Sequence, residues 1–249
     1  MRTRIILCGA CGKMGGNVLS LLENDENAVA VCGVDLYPKQ MDIPVYKSFA
    51  EIQEQADVII DFSSAENVEE RLEYAKTHNL GIVLASTGFT PVQLALIDEY
   101  AKTTAIFKTA NLSLGINLMQ ALCKAAAQVL GEQFDVEIIE RHHNLKKDAP
   151  SGTALMLADS INEVFAGEKH YVDGRSGIVG ARDKKEIGMH AVRGGTIVGE
   201  HEVMFAGEDE VITITHTASS KRVFAAGAIR AAKFLHGKAA GMYEMKDIL

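Results

Sequence analysis

One short stretch constrains the fold of this chain more than any other. The apolar run Arg4-Ile5-Ile6-Leu7-Cys8 leads directly into Gly9-Ala10-Cys11-Gly12-Lys13-Met14-Gly15. A helical pattern follows from Met14 to Glu23, with Val18, Leu19 and Leu22 on one face. Strand, glycine turn and helix in that order open a βαβ unit. The glycines allow a tight turn and a close backbone approach, and the helix start offers N–H groups and a positive dipole end. The spacing is Gly-x-x-Gly-x-x-Gly, one residue longer at its start than the usual dinucleotide fingerprint. A second apolar run, Ala28 to Val34, ends at Asp35, where a ribose-binding acid is expected. The alternative is a plain turn with a surface aspartate. The strand-loop-helix context favours a nucleotide.

The pattern continues through the first half of the chain. Val58 to Phe62, Gly81 to Ala85 and Ala105 to Lys108 are further apolar runs, separated by helical stretches at Glu66 to His78 and from Thr90-Pro91 through Ala101. Continuous apolar strands alternating with helices predict a parallel, doubly wound α/β sheet. The pattern then changes. Ile116 to Leu130 and Ser151 to Phe165 read as helices, and Val136 to Glu140 as a strand. Met189–Arg193, Thr196–Val203 and Val211–His216 alternate as β-strands, and a last helix is predicted over Phe224–His236. Glu168–Lys185 is glycine-rich and charged, and reads as a mobile loop.

Composition excludes several classes. With 249 residues and 47% hydrophobic content the chain can build a core without disulfides. Its net charge of −8 argues against a nucleic-acid coat, and the absence of Trp leaves little for a base-stacking platform. No run approaches the ~18 apolar residues of a membrane span. The apolar run after the basic start stops at Gly9, too short for the core of a secretory signal, so a cytoplasmic location is expected. Cys8 and Cys11 are spaced as a redox or zinc pair, but Cys32 and Cys123 supply no second pair. They are expected to be small residues packed under the loop.

The densest chemistry lies in Glu140-Arg141-His142-His143-Asn144-Leu145-Lys146-Lys147-Asp148-Ala149-Pro150-Ser151-Gly152-Thr153-Ala154. Two His and two Lys make a local cationic site on an acidic chain. The following helix start adds N–H groups. The set suits a small carboxylate, with His and Lys available as proton donors. A metal is the weaker alternative, because the adjacent lysines repel a cation, and none is expected.

This segment resembles the 4-hydroxy-tetrahydrodipicolinate reductase (dihydrodipicolinate reductase) family. That family's His-His-x-x-Lys-x-Asp-Ala-Pro-Ser-Gly-Thr-Ala stands intact from His142 to Ala154. Gly9 to Gly15, Ala85-Ser86-Thr87-Gly88-Phe89, Thr109 to Gly115, Val192-Arg193 and Gly199-Glu200-His201 match further family segments. The resemblance implies a Rossmann domain over residues 1–111 completed by 221–249. It also implies an α+β domain over 112–220, with a mixed open sheet, that binds substrate and builds a homotetramer. The implied activity is NAD(P)H-dependent reduction of a small cyclic dicarboxylate in lysine and diaminopimelate synthesis. Gly9, Ala10, Cys11, Gly12, Lys13, Met14, Asp35, Ala85, Ser86, Thr87, Thr109, Ala110, Asn111 and Leu112 are implied to line the nucleotide. His142 and Lys146 are implied to be catalytic, and His143, Gly152 and Thr153 to contact substrate. Ala85 stands in place of a family glycine, Leu36 in place of a basic residue found in some members, and Lys221-Arg222 where one Arg is familiar. Asp35 followed by Leu36, with no Arg for a 2′-phosphate, leads to an expected preference for NADH over NADPH. Competing readings are another two-domain nicotinamide dehydrogenase acting on a small amino or keto acid, and a non-catalytic NADH sensor.

Overall fold

The computed structural model describes residues 2–249, which divide into two compact units, 2–113 with 221–249, and 114–220. The first unit begins with β1 (Thr3–Cys8), α1 (Lys13–Leu22), β2 (Ala28–Val34) and β3 (Val45–Tyr46). It continues through β4 (Val58–Asp61), α2 (Val68–Thr77), β5 (Gly81–Leu84), α3 (Pro91–Tyr100) and β6 (Ala105–Lys108). The second unit holds α4 (Leu114–Leu130), β7 (Asp135–His142), α5 (Gly152–Val164), β8 (His170–Asp173), β9 (Glu186–Arg193), β10 (Gly199–Ala206) and β11 (Val211–Ala218). The chain then returns to the first unit as α6 (Arg222–Leu235) and β12 (Gly241–Tyr243).

The first unit is a seven-stranded sheet in the order β12-β6-β5-β4-β1-β2-β3, with every adjacent pair parallel. Ile5, Ile6 and Leu7 of β1 and Val58, Ile59 and Ile60 of β4 are fully buried, as central strands covered on both faces must be. The order reverses between β4 and β1, and this switch point is where open parallel sheets bind ligands. The expected Rossmann-type sheet is therefore observed, with two strands more than the sequence pattern displayed. β3 and β12 lie at the sheet edges and have two and three residues, too few to make a visible hydrophobic period. Local signals explain most boundaries. α3 opens on a capping box in which Thr90 Oγ1 accepts from Gln93 N while Gln93 accepts from Thr90 N. α2 starts later than its charged pattern suggests because Asn67 takes a left-handed conformation (φ 54°).

The second unit is a mixed five-stranded sheet in the order β11-β10-β7-β9-β8. β10 is antiparallel to β11 and β7, whereas β9 is parallel to both β7 and β8. Its core joins Ile116, Met119 and Cys123 of α4 and Leu157 and Ile161 of α5 to Val136, Ile138, Met189, Val203 and Phe205 of the sheet. Two expectations change here. The segment expected as a loop over Glu168–Lys185 contains β8, paired with β9, and its Arg175 and Arg182 both bind Glu137. Glycine and charge obscured a strand only four residues long. The strand expected at Thr196–Val203 begins instead at Gly199, because Gly194 and Gly195 turn the chain, with Gly195 at φ 48°. Among the described residues no helix is long and apolar enough to cross a membrane.

Candidate functional site

In the first unit the expected nucleotide residues stand at the C-terminal ends of four parallel strands. Gly9 to Gly12 follow β1, with Lys13 and Met14 in the first turn of α1. Asp35 follows β2, Ala85 to Thr87 follow β5, and Thr109 to Leu112 follow β6. The loop after β1 is shaped by space rather than by side chains. Gly9 has φ 75°, and a Cβ there would lie 2.8 Å from Phe62 O. A Cβ on Gly15 would collide with the carbonyls of Gly9 and Ala10. The turn therefore brings bare backbone and the start of α1 to one place, with Gly12 as N-cap and no side chain capping the helix. The residues fit a dinucleotide: a glycine cradle, an uncapped helix start and a neighbouring carboxylate.

Asp35 is anchored to that loop. Its Oδ2 accepts from Cys11 N at 2.9 Å and its Oδ1 from Tyr37 N at 3.0 Å. It helps to line a cavity of about 310 Å³ together with Gly9, Leu36, Lys47, Ser63 and Arg71. Cys8 is buried under the loop as expected, but Cys11 is only partly buried, with its Sγ 3.9 Å from Met41 Sδ. Beneath the cavity lies an ion pair that the sequence reading did not single out. Asp61, fully buried at the end of β4, lies 2.9 Å from Arg71 of α2. Asp61 also accepts from Ser63 N at 3.0 Å and Ser86 Oγ at 3.3 Å, which ties the loops after β4 and β5 together. Arg71 donates to the carbonyls of Ser64 and Glu66. The signal for this pair was a charge ending an otherwise apolar strand.

Thr109 Oγ1 donates to Asn111 O at 3.2 Å, and Asn111 Oδ1 accepts from Ser113 N at 2.8 Å, so the loop after β6 is closed on itself. Leu112 is buried, and its carbonyl stands against Gly227 of α6, where any Cβ would collide.

The second unit carries the His142–Thr153 loop between β7 and α5. The apolar alternation Val136, Ile138 continues in register to Glu140 and His142, so both point to the core face. Glu140 is 1% exposed. Its two oxygens are saturated by four N–H groups. Oε2 accepts from His142 Nδ1 at 2.6 Å and Arg193 Nη1 at 2.7 Å. Oε1 accepts from Arg193 Nη2 at 2.7 Å and Ser151 N at 2.9 Å. Burial pushes this carboxyl up, but the hydrogen bonds from Arg193, His142 and Ser151 outweigh it, and the acid lies below its ordinary range.

An ionised carboxylate only accepts, so His142 Nδ1 carries a hydrogen. His142 Nε2 then faces Gly199, where a Cβ would stand 3.1 Å from it. His201, opposite Glu140 on β10, meets the His142 ring edge-on at 5.2 Å between centroids. Burial and the His142 charge push His201 down to about 4, so it is neutral near pH 7. Its Nε2 lies 3.1 Å from Ser151 Oγ, the same hydroxyl that caps α5 by accepting from Ala154 N.

Lys146, expected to be catalytic, donates to both oxygens of Asp148, at 2.8 and 2.9 Å. That contact holds the Asp148 carboxyl below its usual range. His143 Nδ1 is buried without a hydrogen-bond partner. Gly152 is exposed at the first turn of α5, and a Cβ there would meet nothing within 4 Å, so the positive end of the helix opens onto space. His142, His143, Lys146, Gly152 and Thr153 thus lie on one loop and the helix start it feeds. Glu140, Arg193 and His201 were missed as site residues. The parity of β7 could have revealed the first, because a carboxylate occupies a core position of the strand.

Comparison with known proteins follows the same division. A family model described as dihydrodipicolinate reductase, N-terminus, matches residues 3–112, and one described as dihydrodipicolinate reductase, C-terminus, matches 115–249. A 4-hydroxy-tetrahydrodipicolinate reductase from Caldanaerobacter subterraneus subsp. tengcongensis is 49% identical, covering 100% of this chain and 99% of the relative. One from Clostridium novyi is 44% identical over 99% of this chain and 98% of its own. A solved dipicolinate-bound dihydrodipicolinate reductase from Paenisporosarcina sp. TG-14 aligns over 100% of both chains, with TM-score 0.83 and 27% identity. An amine dehydrogenase from Mycobacterium smegmatis shares the fold at TM-score 0.64 and 12% identity, over 97% of this chain and 94% of its own. Two family models spanning the chain, and relatives at this identity over full length, show that the chain belongs to the 4-hydroxy-tetrahydrodipicolinate reductase family.

Proposed function

We propose how this chain performs the reaction of its family, the NAD(P)H-dependent reduction of 4-hydroxy-tetrahydrodipicolinate to tetrahydrodipicolinate with loss of water. Gly9 to Met14, Asp35, Ala85 to Thr87 and Thr109 to Leu112 bind the reduced nicotinamide dinucleotide, which supplies a hydride when bound. The glycine cradle and the uncapped start of α1 receive its phosphates, and Asp35 receives ribose hydroxyls. Because Asp35 is followed by exposed Leu36 rather than by Arg, NADH serves at least as well as NADPH.

The second substrate carries two carboxylates on a small ring. His143, Gly152 and Thr153 hold them, through ring N–H and the helix start. Elimination of the 4-hydroxyl as water precedes reduction and leaves a conjugated C=C–C=N unit. Hydride addition to that unit leaves negative charge on its carbon and nitrogen framework, and a proton must then be delivered. Lys146 and His142 are the donors within reach of that task, and a positioned acid is worth roughly 10²–10⁴-fold. Asp148 accepts hydrogen bonds from the Lys146 ammonium before the substrate carboxylates compete for it. The observation that supports this reading is the placement of His142 at the end of β7, and of His143 and Lys146 on the connection that leads from it into the open first turn of α5.

The same reading makes the chain a cytoplasmic homotetramer. The sheet face away from α4 and α5 presents Val192, Val211 and the Glu200–Arg141–Glu202 cluster, a mixed surface suited to a second copy. Two experiments test the proposal. Substrate-dependent oxidation of NADH and of NADPH must both be measurable, and dipicolinate must inhibit competitively with the ring substrate. Oxidation that proceeds without the ring substrate, or that a simple amino or keto acid supports, contradicts it.

A further inference from the structure

We propose that Glu140 is a positioning residue: fixed by Arg193 and the Ser151 amide, it locks His142 with its hydrogen on Nδ1 and leaves Nε2 as the proton-handling atom. The proposal rests on the role given to His142 above and deepens it.

Four observations support it. First, Glu140 occupies a core position of β7, between buried Ile138 and the loop, where an apolar residue would satisfy packing alone. A buried carboxylate is costly unless every lone pair is served, and here four donors serve it.

Second, both Nη groups of Arg193 are occupied, while its Nε is buried without a partner. Nη1 donates to Glu140 and to Val192 O at 2.8 Å, and Nη2 to Glu140 and to Asp148 O at 2.7 Å. An Arg beside a dicarboxylate site would ordinarily be assigned to the substrate. This one spends its forward-facing donors on Glu140 and on the loop that carries Lys146.

Third, the hydrogen bond itself selects the ring orientation, because a flipped imidazole would set a carbon where Glu140 needs a donor. Gly199 lies beside Nε2, and the His201 ring stands at 75° to that of His142. The charged or titratable groups placed beside His142 are Glu140 on its own strand, its register partner Arg193 on β9 and His201 on β10.

Fourth, the clamp reaches the helix. Ser151 N binds Glu140 while Ser151 Oγ caps α5 and contacts His201, so one residue connects the orientation of His142 to the helix start that faces the substrate. Carboxylate partners fix the tautomer of catalytic and metal-bound histidines in the same way.

The test is Glu140→Gln, read in two ways. An amide has one accepting oxygen and one NH₂, so it cannot serve four donors, and either Arg193 must turn away or His142 must turn away or move its hydrogen to Nε2. The tautomer of His142 is read by ¹⁵N NMR of histidine-labelled protein at alkaline pH, with the signal assigned by its loss in His142→Asn. The parent is expected to show the Nδ1–H form and Glu140→Gln a substantial Nε2–H population. kcat is expected to fall by roughly 10–100-fold, with Kd for NADH and for dipicolinate within about threefold of the parent. A merely structural role would lower Tm while leaving the tautomer unchanged.

Nδ1–H retained in Glu140→Gln, or kcat within about threefold of the parent, overturns the proposal. If Glu140→Gln does not fold, Glu140→Asp keeps the charge but withdraws it from the ring. The same two readouts then apply, with the same outcomes supporting or overturning the clamp. The kcat of His142→Asn separately tests the role of His142, so failure of that reading and failure of the clamp are distinguishable.

Discussion

The candidate sites of the two units are built by opposite means. In the first unit, the loop after β1 works by what is missing: no Cβ on Gly9 or Gly15, and no side chain capping α1. In the second, the turn after β7 works by what is present, a buried carboxylate whose every lone pair is occupied and an imidazole held against it. The difference follows from the ligands. A pyrophosphate spans many atoms and is met by backbone N–H groups, so the protein must chiefly make room. A small dicarboxylate that is also protonated needs charged groups at defined atoms, and those must be oriented by others. A site made of absences tolerates surface change but no added bulk. A site made of a network tolerates neither loss nor neutralisation of its members.

The comparison can be broken first at the glycines. Gly15→Val places a side chain into the Gly9 and Ala10 carbonyls, and overpacking of this kind costs about 1–3 kcal/mol or more. Calorimetric titration should show NADH binding weakened by roughly 100-fold, or abolished. Binding within about threefold of the parent would mean that the loop can shift without loss, and that space is not what the glycines provide.

A second test lies at the far edge of the network, away from the proposed chemistry. Glu137 is held by Arg175, Arg182 and His190, at 2.9, 2.9 and 2.7 Å. Burial pushes its carboxyl up, yet these partners bring it down to about 2. A carboxyl lowered in the folded state stabilises fully above its unfolded value, near 4.5, and loses that contribution as pH falls from there toward 2. The contribution at neutral pH is on the order of 1–3 kcal/mol after screening. Glu137→Gln should therefore lower Tm at pH 7, and the gap to the parent should narrow as pH falls from about 4.5 to 3. A gap that stays constant over that range would assign the effect to packing instead of charge.

The smallest expected difference concerns the nucleotide. Asp35 is bound to the backbone of Cys11 and Tyr37 and has no Arg beside it, so kcat/KM for NADH should equal or exceed that for NADPH. A tenfold preference for NADPH, about 1.4 kcal/mol, would contradict this and direct attention to Lys13, Lys39 or Lys47, the last of which shares the cavity with Asp35.

The same contrast explains what was legible in the sequence. Glycine spacing and apolar strands are local patterns, so the parallel sheet and the glycine loop after β1 could be read directly, as could the place of Asp35 after β2. The edge strands β3 and β12 could not, because two or three residues carry no period. β8 was hidden by glycine and charge whose partners, Glu137 above all, lie far away in the chain. The proton-handling loop was visible as a dense motif. Its support was not, because Glu140 meets Arg193 and Ser151 meets His201 only through strand pairing of β7 with β9 and β10. A cluster of reactive residues is local. The residues that orient them are distributed.

One measurement tests the division of labour most directly: kcat and the Kd for NADH determined on the same preparation of Lys146→Met. The substitution keeps most of the stem and its packing while removing charge and proton. The account predicts a loss of roughly 100-fold or more in kcat with NADH binding unchanged within about threefold, because it assigns the nucleotide to residues of the first unit alone. A kcat within a few-fold of the parent, or a loss of NADH binding that matches the loss of kcat, would contradict it.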